Sequence, residues 1–271
     1  MLKEKIEERK IIPIAAMISA GKSKLLNVLF NIDFLKYKAG IGAKFVNILR
    51  YNPEIMKPIF YHLKAVKENG KYVFYKDPNS KVKEGEEEII EENKNINSLY
   101  ADSPMINYED IFYMTEVNEI QFIKDKQFLL KHDFCDIPGL SEYQTPSEEK
   151  KEKEEEKGKK EEKEEEKEDD IFYNVDVNEK TYLTEIFSIL RDYIDGAIII
   201  LSVENYYFEE NYEIIAKLHK AIGKEIRNCL IVLNKIDLSD NPQKDIDKCK
   251  GMFLQKFPKC KTFNLNLFIY K

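Results

Sequence analysis

The chain has 271 residues, 43% of them hydrophobic and 34% charged, with a formal net charge of −7. At about 150 residues per domain that is one or two domains, with ample apolar material for a core and more charge than the roughly 25% of an ordinary protein. Residues 147 to 170 hold 14 acidic and 8 basic groups and account for most of the imbalance, whereas the other 247 residues carry 36 acidic and 35 basic groups. A near-neutral body without a basic stripe has no electrostatic footprint for nucleic acid, and nothing in its charge draws it to an anionic membrane.

Taken in chain order, Ile11 to Met17 is a short apolar run that reads as a strand buried on both faces. It runs into Ser19-Ala20-Gly21-Lys22-Ser23, after which Leu25, Leu26 and Leu29 recur at helical spacing. Ile59 to Ala65 and Lys71 to Lys76 flank Asn69-Gly70, a hairpin signal that predicts an addition to a sheet edge. HDFCDIPG, from His132 to Gly139, reads as a strand ending in a turn. Residues 181–194 predict a helix with Leu183, Ile186, Ile189, Leu190 and Ile194 on one face, stopped by Asp195 before Gly196. GAIIILSV predicts a second buried strand, NYEIIAKLHKAI a further helix, and NCLIVLNKID a third buried strand. Alternation of this kind implies parallel pairing, and hence a doubly wound, mainly parallel α/β sheet with flanking helices.

Residues 147–170 contain no apolar side chain and read as a solvated low-complexity insertion, either a linker or helix or a regulatory segment. The chain is therefore expected to be one domain over 1–271, with its core at about 11–240 and this interruption. Cys135, Cys229, Cys249 and Cys260 form no C-x-x-C pair, which excludes a zinc framework or a disulfide scaffold; Cys135 and Cys229 suit burial in strands. No apolar run is long enough to cross a bilayer, and MLKEKIEERK is unlike a secretory signal, so a reducing, cytoplasmic compartment is expected. His62, His132 and His219 read as isolated, with His132 a strand-edge residue.

Three constellations carry chemistry. Ala16 to Ser23 fits the phosphate-loop pattern G-x-x-x-x-G-K-[ST], with alanine in place of the first glycine. Such a loop turns successive backbone N–H groups onto a phosphate at a helix N-terminus. Lys22 would reach the β- and γ-phosphates, and the Ser23 hydroxyl would hold Mg2+. A Cβ at Ala16 is expected to weaken the match, because that glycine often needs room or an unusual backbone angle. Asp136-Ile137-Pro138-Gly139 matches D-x-x-G, in which the aspartate holds Mg2+ and the glycine N–H reaches a γ-phosphate. Alone, it also reads as a surface turn. Asn234-Lys235-Ile236-Asp237 matches N-K-x-D, in which the Asp237 carboxylate accepts from the ring N–H and amine of guanine and the Lys235 stem covers the base. Alone, it also reads as a helix cap. The three in this order, each at the C-terminal end of a predicted strand, point to a guanine-nucleotide site.

Together, S-A-G-K-S followed by LLNVLF, then D-I-P-G-L and N-K-I-D, resemble the GTPase domain of the dynamin family, over most of residues 11 to 240. The resemblance implies an extended P-loop NTPase domain with GTP or GDP and Mg2+ as ligands, dimerisation across the nucleotide face, and membrane association. It implies catalytic roles for Ser19 and Lys22. Ala20, Gly21, Lys22, Ser23, Lys24, Asp136, Gly139, Asn234, Lys235 and Asp237 would bind the nucleotide, with Ser23 and Asp136 on the metal. Two departures bear on turnover. The family usually has a polar residue before the loop serine and a threonine in its first switch, both of which orient the attacking water; this chain has Ile18 and, within Gly40 to Val46, Ala43. Slow hydrolysis is expected, and a non-catalytic guanine-nucleotide module is the alternative. A protein of this fold that binds no nucleotide is a third reading. The chain ends at Tyr270-Lys271 with no stalk-like helical region, as a fragment or truncated relative would.

Overall fold

Strands that are buried on both faces must be apolar throughout, and the three fully apolar runs of the sequence become neighbours. The computed structural model describes residues 4–16, 20–33, 35, 45–101, 107–120, 123–137, 183–207 and 229–256. In it β1 (Lys10–Ala16) pairs in parallel with β7 (His132–Asp136) on one side and β8 (Ala197–Ser202) on the other, and β8 pairs in parallel with β9 (Cys229–Asn234).

A mixed half extends the sheet beyond β7. There β2 (Val46–Tyr51) is antiparallel to β7 and parallel to β6 (Phe112–Val117), β6 is antiparallel to β3 (Ile59–Glu68), and β3 is antiparallel to β4 (Lys71–Lys76). The order is β4-β3-β6-β2-β7-β1-β8-β9, with the short β5 (Lys83–Glu84) on β3. As the sequence predicts, the Asn69-Gly70 hairpin ends the sheet; positive φ at both residues, 50° and 84°, gives the turn the twist a two-residue hairpin requires.

Each face of the sheet buries its own cluster. One side holds α1 (Lys22–Leu29), α2 (Glu86–Ala101) and α3 (Lys126–Leu129), through Leu25, Leu26, Ile89, Ile96 and Leu129. The other holds α4, residues 183–190, and α5 (Pro242–Lys256), through Leu183, Ile186, Phe187, Leu190, Cys249 and Phe253. α4 ends at residue 190, four residues earlier than its apolar spacing predicts. The backbone of Ile11 explains this: its N–H donates to the Tyr193 carbonyl at 2.8 Å and its carbonyl accepts from the Asp195 N–H at 3.2 Å, so this segment is drawn onto β1. Cys135 is buried and its thiol is pushed up by that burial. His62 is not isolated, since Nδ1 lies 2.9 Å from Asp77 Oδ2. The predicted helix at 211–222 and the charged segment 147–170 lie outside the described residues. No helix among the described residues is long and apolar enough to cross a membrane.

At the N-terminal end of β7 a buried ion pair ties the two halves of the sheet. Arg50 of β2 donates from Nη2 to Asp133 Oδ2 at 2.6 Å and from Nε to Oδ1 at 3.1 Å, with Asp133 2% exposed. Burial works against the Arg50 cation, yet its hydrogen bonds to Asp133 hold the guanidinium above its ordinary value. Breaking such a pair strands a buried charge, whereas replacing both partners with apolar groups removes the problem. Asp133→Ala should therefore lower the urea-unfolding free energy by about 3–5 kcal/mol, and Arg50→Met with Asp133→Leu should recover most of it.

Candidate nucleotide site

Parallel pairing brings the C-terminal ends of β1, β7 and β9 to one edge of the sheet, where the three sequence motifs meet. Ala16 is the last residue of β1, paired with Ile200 and 2% exposed, and its φ is not positive. The expectation that a Cβ there would be resisted is not met: the position is ordinary strand, which accepts alanine. Residues 17–19, and with them Ile18 and Ser19, lie outside the described residues, as do Ala43 and Gly139.

Gly21 caps α1 with φ 88°, a left-handed angle that side chains resist. A Cβ on it would also stand 2.3 Å from Asn234 Nδ2. The closeness has a purpose, since Asn234 Nδ2 donates to the Ala20 carbonyl at 2.8 Å and ties the end of β9 to the loop. α1 has no acidic residue in its first turn and, among the described residues, no side-chain cap, which leaves its leading N–H groups and positive dipole end for an anion. Lys22 Nζ pairs with Asp136 Oδ1, both side chains largely buried. Ser23 is half-buried in the same turn and Lys24 is exposed. A hydroxyl and a carboxylate are the hard oxygen donors that suit Mg2+, a cation that keeps several of its waters, so Ser23 and Asp136 fit it. Among the described residues no cluster of three or more metal-ligating side chains exists.

On the base side, Lys235 takes a left-handed φ of 58° and starts a 3-10 turn over Ile236–Leu238. Ile236 is buried and anchors the turn, which leaves Asp237 exposed as an acceptor. Lys235 Nζ pairs with Glu204 Oε2, which also accepts from Ser202 Oγ at 3.3 Å. The Lys235 bond holds the Glu204 carboxyl below its usual range.

Two contributors escape a motif reading. Glu204 sits in the turn after β8, and a carboxylate following an apolar strand is its only signal. Asn27 interrupts the apolar face of α1; its amide donates to the Leu35 carbonyl at 2.9 Å and accepts from the Leu35 N–H at 3.1 Å, fixing the exit of the helix. A polar residue inside a leucine stripe is the trace it leaves in the sequence.

A phosphate-type loop between a buried parallel strand and a helix, facing a strand-end aspartate, defines a P-loop NTPase fold. Residues 14–236 match the model of the dynamin family, and the chain belongs to that family, with the matched span as its GTP-binding module. Among solved structures the chain is similar to a member of an oligomerised bacterial dynamin pair that senses and tethers membranes at long range, at 17% identity and a TM-score of 0.45, covering 97% of this chain and 31% of that one. It is also similar to Era from Aquifex aeolicus bound to GDP and aluminium fluoride, at 13% identity and a TM-score of 0.37, covering 96% of this chain and 52% of that one. The chain thus spans less than a third of the bacterial dynamin's length. No curated protein is similar enough to be matched to it.

The contact of Gly21 with Asn234 yields a double-mutant prediction. Gly21→Ala should lose roughly 1–2 kcal/mol to its backbone angle, with a further loss from the clash. Asn234→Ala should lose about 1 kcal/mol with its hydrogen bond. Because the shortened Asn234 no longer meets the new Cβ, the double variant should be less destabilised than the sum of the two in thermal or urea unfolding.

Proposed function

We propose that the chain binds GTP and GDP with Mg2+ through Ala20 to Lys24, Asp136, Gly139, Asn234, Lys235 and Asp237, and hydrolyses GTP slowly. The observation that carries this reading is the pairing of Lys22, at the start of α1, with the strand-end carboxylate Asp136, beside the bond from Asn234 to the Ala20 carbonyl. Lys22 and the first N–H groups of α1 take the phosphate oxygens, while Asp136 and the Ser23 hydroxyl hold Mg2+. When bound, the cation neutralises charge on the β- and γ-phosphate oxygens. Asp237 selects guanine through two bonds to a carboxylate, and the Lys235 stem, steadied by Glu204, lies along the base. Ser19 and Lys22 take the catalytic roles that the family resemblance implies.

Catalysis of phosphoryl transfer rests on positioning and electrostatics, and Ile18 and Ala43 supply no hydrogen bond to an attacking water. Those two residues favour a second reading, a non-catalytic nucleotide module whose bound state governs assembly with partners. In either case we take the chain as one domain interrupted at 147–170, acting in the cytoplasm, without nucleic acid. Dimerisation across the nucleotide face and membrane association are extended to it from its family.

Equilibrium binding of a fluorescent GTP analogue, followed by single-turnover hydrolysis with Mg2+, tests both readings. Lys22→Ala should abolish binding, and Asp237→Ala should cut affinity for GTP roughly 10- to 100-fold and erase preference over ATP, as loss of charge-assisted hydrogen bonds requires. Turnover above the Lys22→Ala control establishes the GTPase; binding without turnover establishes the module; no binding contradicts both.

A further inference from the structure

One row of polar side chains crosses the α1 face of the sheet, and the amide nitrogen of one member has no hydrogen-bond partner among the described residues. β2 lies between β6 and β7, and Asn47 stands opposite Asp136 in the antiparallel register. Along β2, Val46 and Ile48 enter the cluster on the α4 side while Leu49 and Tyr51 enter the one on the α1 side, so alternation puts Asn47 on the α1 side. Tyr113 and Val117 place Thr115 of β6 on that same side, and Phe134 does so for Asp136 of β7. The row runs Thr115, Asn47, Asp136, Lys22, and its first three members are 0%, 2% and 7% exposed.

Two of its links are made. Thr115 Oγ1 donates to Asn47 Oδ1 at 3.1 Å, and Lys22 Nζ pairs with Asp136 Oδ1. Between them Asn47 Nδ2 is shut off from solvent and has no hydrogen-bond partner among the described residues. The amide has spent its carbonyl on β6, which leaves its N–H2 half for the β7 side, where opposed residues hold their Cβ atoms about 4.5–5.5 Å apart. Apolar neighbours such as Leu49, Tyr113 and Phe134 give packing no reason to choose an amide here. A buried donor without an acceptor is unfavourable, so an asparagine at this point needs a state of the protein in which the donor is used.

We propose that Asn47 is a positioning residue for the Asp136 carboxylate, donating to it when Lys22 turns from Asp136 to a bound phosphate. This inference rests on the guanine-nucleotide reading above. An ionised carboxylate accepts several hydrogen bonds, so it can take a donor from β2 and still face Mg2+ and its waters. Lys22 holds Asp136 in the free chain; once its ammonium faces phosphate oxygens, the Asn47 N–H keeps the carboxylate oriented. A neutral donor does this without competing for the charge that draws the metal. Thr115 fixes the amide so that its nitrogen faces β7.

Asn47→Leu removes the donor at nearly constant volume. Binding of fluorescent GDP and of a non-hydrolysable GTP analogue is measured with Mg2+ and with EDTA, together with melting temperature. In Asn47→Leu the affinity in EDTA should stay near wild type, while the gain on adding Mg2+ should fall about tenfold or more, as loss of a residue orienting a metal ligand does. The melting temperature should hold or rise. Asn47→Ser, which keeps a donor, should restore part of the gain, and Thr115→Val should reduce it by less than Asn47→Leu does. An unchanged Mg2+ gain in Asn47→Leu overturns the inference, as does an equal loss with and without Mg2+, which marks a packing effect. Should Asn47→Leu not fold, Thr115→Val decides in the same way: a reduced gain supports the inference and an unchanged gain overturns it. If the wild-type chain binds no nucleotide, the proposed function falls and this inference with it; wild-type binding with indifferent variants removes the inference alone.

Discussion

The pairing of Lys22 with Asp136 is the contact on which the rest of the site depends. A lysine at the start of α1 and an aspartate at the end of β7 lie 114 positions apart, and parallel pairing of β1 with β7, which sets Ile14 beside Asp136, is what brings them together. Largely withdrawn from water, each group needs the other or a replacement whose charge has the same sign. A phosphate for Lys22 and a divalent cation for Asp136 are such replacements. The free chain thus carries within itself a stand-in for the charges of its ligand.

The surrounding structure holds this pair from three directions. Asn234 ties the loop to β9, and its approach leaves room only for glycine at position 21. Asn27 fastens the far end of α1 to Leu35. At the opposite end of β7, Arg50 and Asp133 clamp β2 against it, so the strand that carries Asp136 is fixed at both ends by charge and along its length by apolar packing. The Thr115 to Asn47 bond joins β6 to β2 within the mixed half of the sheet and ends at the position opposite Asp136.

Much of the parallel half was legible in the sequence, because β1, β8 and β9 are buried on both faces and read as unbroken apolar runs. The β3–β4 hairpin was legible for a different reason, the backbone demand of Asn69-Gly70. β2 and β6 were not, since their interior positions include Asn47, Arg50 and Thr115, whose partners lie on strands distant in sequence. α2 was hidden by its acidic start and the amide-rich stretch that follows, in which Ile89, Ile90 and Ile96 are the apolar residues before Leu99, and the end of α4 was set by the backbone of Ile11 rather than by its own residues. In the site, Lys22, Asp136 and Asn234 followed from spacing, but their contacts did not. Nor did Glu204, since a side chain that steadies another at the end of the next strand leaves no local pattern. Ala16 looked like a defect in the loop and proved to be an ordinary strand residue.

In the proposed function, bound nucleotide takes the place of Asp136 as the partner of Lys22. A crystal structure of the chain grown with GDP and Mg2+ tests it most directly. Lys22 Nζ should lie on the β-phosphate, Asp136 should be turned from Lys22 toward the metal, and the Asn234 bond to Ala20 should be retained. A nucleotide bound elsewhere, or one bound in the loop with Lys22 still paired to Asp136, would contradict it.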